Sequence, residues 1–366
     1  MKFTLQREQL LKTLQLVTGV VERRQTLPVL ANLLVKASDG RIELTGTDLE
    51  VQLVAECEAS VDQAGEATLP ARKLADIWRS LGEGSEVSVT VEGDRAVVRS
   101  GRSRFTLATL PAVDFPQVPS GDADVDLTLG QDVIRALIDD VSFAMAQQDV
   151  RYFLNGMLLE VSQDQLRAVA TDGHRLAMST VSAEGGSSDR VRAIIPRKGV
   201  IEIGRLLDGE NETATVQMGG NHLQVKSGGF TLTTKLVDGQ FPDYEKVIPS
   251  DTSRIILGDR DTLRQAFQRA SILSNEKYRG VRLMVEGEQL TIQANNPEQE
   301  EAEEVVAVEF NGDALEIGFN VSYLLDVLGV LDTDQVKLSV SDANSSALIE
   351  GPGHDSALYV VMPMRL

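Results

Sequence analysis

The stretch Thr171-Asp172-Gly173-His174-Arg175 is the passage whose residue types come nearest to catalytic chemistry. An aspartate two residues before a histidine could orient the imidazole for general-base work. The same stretch also reads as a turn, since Asp-Gly is a hairpin signal, or as part of a binding surface. The other histidines, His222 and His354, stand far from His174 and show no metal-ligand spacing. There is no Gly-x-x-x-x-Gly-Lys-Ser/Thr phosphate loop, no helix-opening Gly-x-Gly-x-x-Gly and no Gly-x-Ser-x-Gly elbow. The single cysteine, Cys57, allows no internal disulfide and fits a reducing compartment. The expectation is no catalytic residue, no metal and no cofactor.

Charge narrows the partners. Lys and Arg number 35 against 55 Asp and Glu, a net charge of −20. That excess argues against tight general binding to nucleic acid, whose affinity comes from neutralising phosphates. Positive charge is clustered instead: Arg23 and Arg24; Arg72, Lys73 and Arg79; Arg197, Lys198 and Arg205; Arg264, Arg269, Lys277, Arg279 and Arg282. Asp132, Asp139 and Asp140 around Arg135 break the pattern. An acidic run, Glu298-Gln299-Glu300-Glu301-Ala302-Glu303-Glu304, could pair with Lys73, Arg95, Arg102 and Arg104 near the other end of the chain. Complementary ends are what a head-to-tail assembly of two copies needs. Apolar residues (42%) give each third of the chain a core, but no run is long enough to span a membrane. The opening MKFTLQREQLL makes a poor secretory signal, so a cytoplasmic location is expected.

These residues sit on a threefold repeat of about 125 residues. Thr45-Gly46-Thr47-Asp48 recurs as Val169-Ala170-Thr171-Asp172 and, degenerately, as Gln293-Ala294-Asn295-Asn296. Leu69-Pro70-Ala71-Arg72-Lys73 recurs as Ile195-Pro196-Arg197-Lys198, and Phe115-Pro116 as Phe241-Pro242. Ser103-Arg104-Phe105-Thr106-Leu107 recurs as Gly228-Gly229-Phe230-Thr231-Leu232. Such a period suits a domain copied three times, with domains expected at 1–122, 123–250 and 251–366. Each copy predicts a short strand, an amphipathic helix, strands such as 29–37 and 41–46, a second helix just after the proline, and closing strands. The first helices show Leu10, Leu14, Val17 and Val21; Val133, Leu137 and Val141; and Leu263, Phe267 and Ala270 at helical spacing. The expected class is α+β, two helices packed on sheet in each domain.

With the repeat in place, the chain resembles the bacterial DNA polymerase III beta subunits, the sliding clamps, over its whole length. The resemblance is carried by Leu44 to Glu50, Gln148-Asp149-Val150-Arg151-Tyr152, Leu154-Asn155-Gly156-Met157-Leu158, Ala170 to Leu176, Lys235-Leu236-Val237-Asp238, Phe241-Pro242-Asp243-Tyr244, Ser274-Asn275-Glu276-Lys277, Ala294 to Glu304 and Tyr359 to Leu366. It implies a non-catalytic clamp, a head-to-tail homodimer closed into a ring, helices inside and sheets outside. Double-stranded DNA would be held topologically, without sequence preference. The acidic exterior would then suppress unproductive contact with DNA. The resemblance assigns DNA contacts to Arg24, Arg72, Gln148, Tyr152, Phe153 and Lys198.

It assigns a peptide pocket to Leu154, Thr171, Gly173, His174, Arg175, Leu176, Pro242, Lys246, Val247, Asn320, Tyr323, Val360, Val361, Met362, Pro363, Met364 and Arg365. That pocket would take Gln-Leu-x-Leu-Phe motifs from the DNA polymerase III alpha subunit, the clamp-loader delta subunit, other polymerases and repair proteins. Lys246 stands where the family leads one to expect arginine, and Phe153 where it leads one to expect tyrosine. The dimer interface is expected at Lys73, Arg95, Arg102, Arg104, Phe105, Leu107, Ile272, Leu273, Glu298, Glu300, Glu301 and Glu304, with Ile272 and Leu273 packing on Phe105 and Leu107 of the other protomer. The apolar C-terminus is unlike a free tail. Met362-Pro363-Met364 is expected partly exposed beside His174, Leu176, Pro242 and Val247, rather than buried as a terminal strand. An enzyme working through Asp172 and His174, and a monomeric peptide-binding scaffold, are the competing readings.

Overall fold

The computed structural model describes the whole chain except residues 23–26, 117, 119–122, 184–189, 210–211, 251–252 and 366. Arg23, Arg24, Leu366 and parts of both expected linkers therefore lie outside the described residues. Six α-helices are present among them: α1 Arg7–Val20, α2 Ala71–Ser80, α3 Gln131–Val141, α4 Arg197–Leu206, α5 Arg260–Ser271 and α6 Val321–Val330. Each begins where a strand ends: Lys2–Gln6, Gly65–Pro70, Val125–Gly130, Val191–Pro196, Arg254–Asp259 and Leu315–Asn320 in turn. In the second helix of the first two copies a proline closes the strand. The third copy uses Asn320 instead, whose side chain accepts from the Ser322 N–H at 2.9 Å and caps α6. Asp259 caps α5 in the same way, accepting from Thr262 at 2.7 Å.

The chain divides into two compact units, 1–134 with 198–236, and 135–197 with 237–366. The first holds a five-stranded sheet and an eight-stranded sheet, with α1 and α2 packed on one another. The eight-stranded sheet crosses from the first repeat to the second, because strand Val51–Glu58 pairs with Phe230–Lys235, Leu53 opposite Leu232. Leu10, Leu14, Val17 and Val20 form the buried face of α1. That helix crosses the sheet so closely that a Cβ on Gly46 would stand 2.7 Å from the Val17 carbonyl. The glycine of the Thr-Gly-Thr-Asp motif is thus a packing requirement. Its Thr47 and Asp48 shape the following turn. Asp48 Oδ1 accepts from the N–H groups of Glu50 and Val51 at 2.9 and 2.7 Å, and Thr47 Oγ1 donates to the Val51 carbonyl at 2.9 Å.

The second unit holds a nine-stranded and a four-stranded sheet. Here the second repeat is stitched to the third. Strand Arg175–Ser182 pairs with His354–Val361, placing Leu176 opposite Val360. Because sheets run through the repeat boundaries, two compact units arise from three repeats. Two details differ from the sequence-based expectation. Residues 28–31 form a 3-10 turn ahead of strand Asn32–Ser38, since Pro28 offers no N–H to a ladder. The buried face of α3 is Ile134, Leu137, Ile138 and Val141, with Val133 only half-buried.

Candidate functional site

The Asp172-Gly173-His174 stretch repeats, bond for bond, the turn seen at Thr47-Asp48. Asp172 Oδ1 accepts from the His174 and Arg175 N–H groups at 2.9 and 3.1 Å. Thr171 Oγ1 donates to the Arg175 carbonyl at 2.6 Å and accepts from Gly173 at 3.0 Å. Asp172 therefore holds backbone, and no bond joins its carboxylate to the His174 imidazole. The geometry is that of a shaped turn, with no orienting contact for base catalysis. Gly173 sits at φ +89°, and a Cβ there would meet the Arg151 guanidinium at 3.0 Å.

Arg175 fixes this turn to its surroundings. Its Nε donates to Asp172 Oδ2 at 3.2 Å, one Nη to the Phe143 carbonyl at 2.8 Å, and the other to Asp326. The guanidinium lies over the Tyr323 ring at 4.5 Å and the Phe143 ring at 5.2 Å. Beside the turn is a cavity of about 190 Å³. Its floor is apolar and buried: Leu154, Leu176, Tyr244 and Val360 are each at most 4% exposed. Its rim carries His174, Pro242, Val247 and Met362, the last two about 40% exposed. The Met362 N–H donates to the His174 carbonyl at 2.9 Å, and the Met364 N–H to the Gly318 carbonyl at 2.8 Å. The C-terminus thus continues past its strand as a tethered, partly exposed wall.

The remaining wall is the 3-10 turn Tyr244–Val247. The Tyr244 hydroxyl donates to Glu160 Oε1 at 3.2 Å and accepts from Arg167 at 3.1 Å and Arg190 at 2.9 Å. Arg192 donates to Glu160 Oε2 at 2.7 Å. Burial pushes the Glu160 carboxyl up, but hydrogen bonds from Arg190 and Arg192 outweigh it and hold its pKa below the usual value.

Ten of the seventeen pocket residues expected from sequence line this cavity: Leu154, Thr171, Gly173, His174, Arg175, Leu176, Pro242, Val247, Val360 and Met362. Lys246 is not among the lining residues; it is largely exposed and pairs at 2.8 Å with Asp243, which is. Asn320 caps α6, Tyr323 stacks on Arg175, and Val361 is fully buried. Pro363 and Met364 are half-buried beyond the cavity, and Arg365 is exposed. Arg151, Asp243 and Tyr244 line it without having been singled out. A larger, polar cavity of about 710 Å³ lies in the first unit beside Gln9, Arg41 and Glu58. It has no convergent apolar floor.

Of the DNA candidates, Arg72 and Gln148 are exposed and Tyr152 is 57% exposed, while Phe153 is half-buried. Arg24 lies outside the described residues. Lys198 is occupied: its Nζ donates to the Val20 carbonyl at 2.9 Å and contacts Glu22 and Asp48. Of the interface candidates, Lys73, Arg95, Arg102, Arg104, Glu298, Glu300 and Glu301 are exposed. Ile272 is 75% exposed, Leu273 and Phe105 are half-buried, and Leu107 is turned into its own unit at 8%. Glu304 is held within the chain by two hydrogen bonds from Arg269, at 2.8 and 2.7 Å.

The chain matches the family models of the DNA polymerase III beta subunit in all three parts: the N-terminal domain over residues 1–119, the central domain over 128–243 and the C-terminal domain over 245–365. Proteins named beta sliding clamp from Pseudomonas aeruginosa and Pseudomonas putida are 57% and 56% identical to it, with all of both chains covered. A crystal structure of the DNA polymerase III subunit beta from Pseudomonas aeruginosa superposes with a TM-score of 0.97 at 56% identity, again over both full lengths. Three domain matches in order, full-length identity above one half and a shared fold together make this chain a member of the DNA polymerase III beta subunit family, the bacterial sliding clamps.

Proposed function

We infer that the protein is the non-catalytic sliding clamp of DNA polymerase III and that its partners dock in the cavity beside Met362. The observation that carries the docking reading is the convergence of three walls, the Thr171–Arg175 turn, residues 242–247 and the C-terminal Met362, on one apolar floor. Such a groove suits a short peptide with two or three apolar anchors, and the flexible thioether of Met362 adapts to varied side chains. Peptides of the Gln-Leu-x-Leu-Phe type from the polymerase alpha subunit, the clamp-loader delta subunit and repair proteins fit this chemistry. Deleting Met362 to Leu366 is the test. The shortened protein should stay folded and dimeric while losing a fluorescent Gln-Leu-x-Leu-Phe peptide, read by anisotropy. Unchanged affinity would overturn the docking reading.

Three domains, meeting near residues 122 and 250, would form half of a head-to-tail ring. Two unpaired sheet edges support this. Strand Ser103–Ala108 ends the five-stranded sheet and strand Glu301–Ala307 ends the four-stranded one. The first carries Arg104, the second Glu301 and Glu303, so the edges are complementary in charge as well as in hydrogen bonding. A closed ring holds double-stranded DNA topologically, so a few sequence-blind contacts from Arg24, Arg72, Gln148 and Tyr152 suffice. Such a protein works in the cytoplasm, on the chromosome. Among the described residues no helix is long and apolar enough to cross a membrane.

A further inference from the structure

We propose that Tyr244 is a positioning residue for the cavity: its hydroxyl, seated on Glu160 and Arg190, fixes the 242–247 wall and thereby sets peptide affinity. The proposal rests on the peptide-docking reading of that cavity. The wall belongs to an irregular segment. The Val237 N–H donates to the Ile194 carbonyl at 2.9 Å. From there to strand Arg254–Asp259, the described residues make no backbone-to-backbone hydrogen bond outside the 3-10 turn itself. A stretch without a ladder must be held by its side chains.

Tyr244 is the buried one among them, 2% exposed. Its ring packs with Leu158, Leu176 and Val360, so it shares its cluster with the cavity floor. Apolar contact sets the depth of a ring but is non-directional; direction comes from the hydroxyl. Glu160 stands directly opposite Arg167 on one neighbouring strand and opposite Arg192 on the other. Sheet register thus builds the socket into which the hydroxyl fits. Arg190 spans two consecutive wall residues, donating to the Tyr244 hydroxyl at 2.9 Å and to Glu245 Oε1 at 2.8 Å. Val247 follows Tyr244 by three residues, one turn of 3-10 helix, and is a rim residue of the cavity. Loosening the peg lets the wall leave its peptide-competent position. Apparent Kd then rises by the inverse of the competent fraction.

The test uses the full chain and a fluorescent Gln-Leu-x-Leu-Phe peptide. Tyr244→Phe keeps the ring and removes the hydroxyl; Glu160→Gln keeps the shape and removes the charge. Each should raise Kd about tenfold, the scale of one hydrogen bond to a charged group. The double variant should bind no more weakly than the weaker single, because the hydroxyl acts through the carboxylate. Glu245→Gln alters an exposed side chain without touching the buried acid, and should raise Kd about threefold. Thermal unfolding of the same proteins separates a structural role, which would lower the melting temperature and give additive losses of binding. Unchanged Kd in the single variants, or additive losses, overturns the proposal while wild-type binding leaves the docking reading standing. A wild type that fails to bind the peptide overturns both.

Discussion

Replacing Arg175 by alanine should destabilise the second unit by about 3–5 kcal/mol, the range for removing one partner of a buried charged cluster. The figure follows from what the guanidinium holds. Its side chain is 11% exposed, and Asp172 is 18% exposed, so that pair and the Phe143 carbonyl bond are shielded from water. Hydrogen bonds of this charged kind contribute about 1.5–3 kcal/mol each. Asp326 is 45% exposed, so its pair adds less than about 1 kcal/mol. Stacking on Tyr323 and Phe143 adds about 0.5–2 kcal/mol. One guanidinium makes all of these, so they do not simply add, and the buried-pair range is the better bound. The chain provides its own reporters. Trp78, the single tryptophan, is in the first unit, and the five tyrosines, Tyr152, Tyr244, Tyr278, Tyr323 and Tyr359, are all in the second. Denaturation of Arg175→Ala should move the tyrosine-detected transition to lower denaturant and move the tryptophan-detected one less. A tyrosine transition shifted by under about 1 kcal/mol would refute the reasoning, because water would then be replacing those bonds at little cost.

Lys198→Ala should reverse that pattern, lowering the tryptophan-detected stability by about 2–3 kcal/mol because Asp48, 5% exposed, loses its cation, and should leave the salt dependence of clamp loading unchanged. Asp140→Asn should raise the melting temperature at neutral pH. Burial, opposed by Ser179, raises the Asp140 pKa above its ordinary 3.8, so the stability it gives is complete below that value and is lost as pH rises through the folded pKa. The advantage of the variant should therefore vanish near pH 4 in pH-dependent thermal scans; an advantage that grows in acid would contradict the sign. Ile272→Asp with Leu273→Asp should give monomers by light scattering, since burying unpaired charge in an interface is costly, and a persistent dimer would place the interface elsewhere.

Much of the fold was legible because the repeat carries local rules. Pro70 and Pro196 each close a strand and open a helix, which a proline can do at a first turn without losing a bond. The Thr-Asp turn was legible too, and its two copies share their bonds because the same short side chains reach the same N–H groups. The unseen parts depend on register and on distance along the chain. Tyr244 finds Glu160 only because three strands align, and no periodicity in residues 156–196 states that alignment. Arg151 lines the cavity through a bond to the Asp172 carbonyl at 3.2 Å, which nothing in its own neighbourhood announces. Leu107 shares a strand face with Phe105, yet only Phe105 keeps exposed surface, because depth along a strand is not written in alternation.

The same distance effect revises the charge argument. Lys198, Arg175, Arg190 and Arg269 all count among the 35 basic residues of the sequence. In the fold each is bound to carboxylates of its own chain: Asp48 and Glu22, Asp172 and Asp326, Glu160 and Glu245, and Glu304. Among the described residues Arg72, Lys73, Arg99, Arg102, Arg104, Lys226, Lys235, Arg264, Lys277 and Arg365 remain exposed and carry no ion pair. Free positive charge is therefore scarcer than a count of basic residues suggests, on a chain already at −20. Since contact affinity for DNA comes from neutralised phosphates, the net charge of −20 opposes strong binding by contact alone. In the proposed ring, enclosure would then retain DNA, and the exposed cations would serve sliding better than gripping.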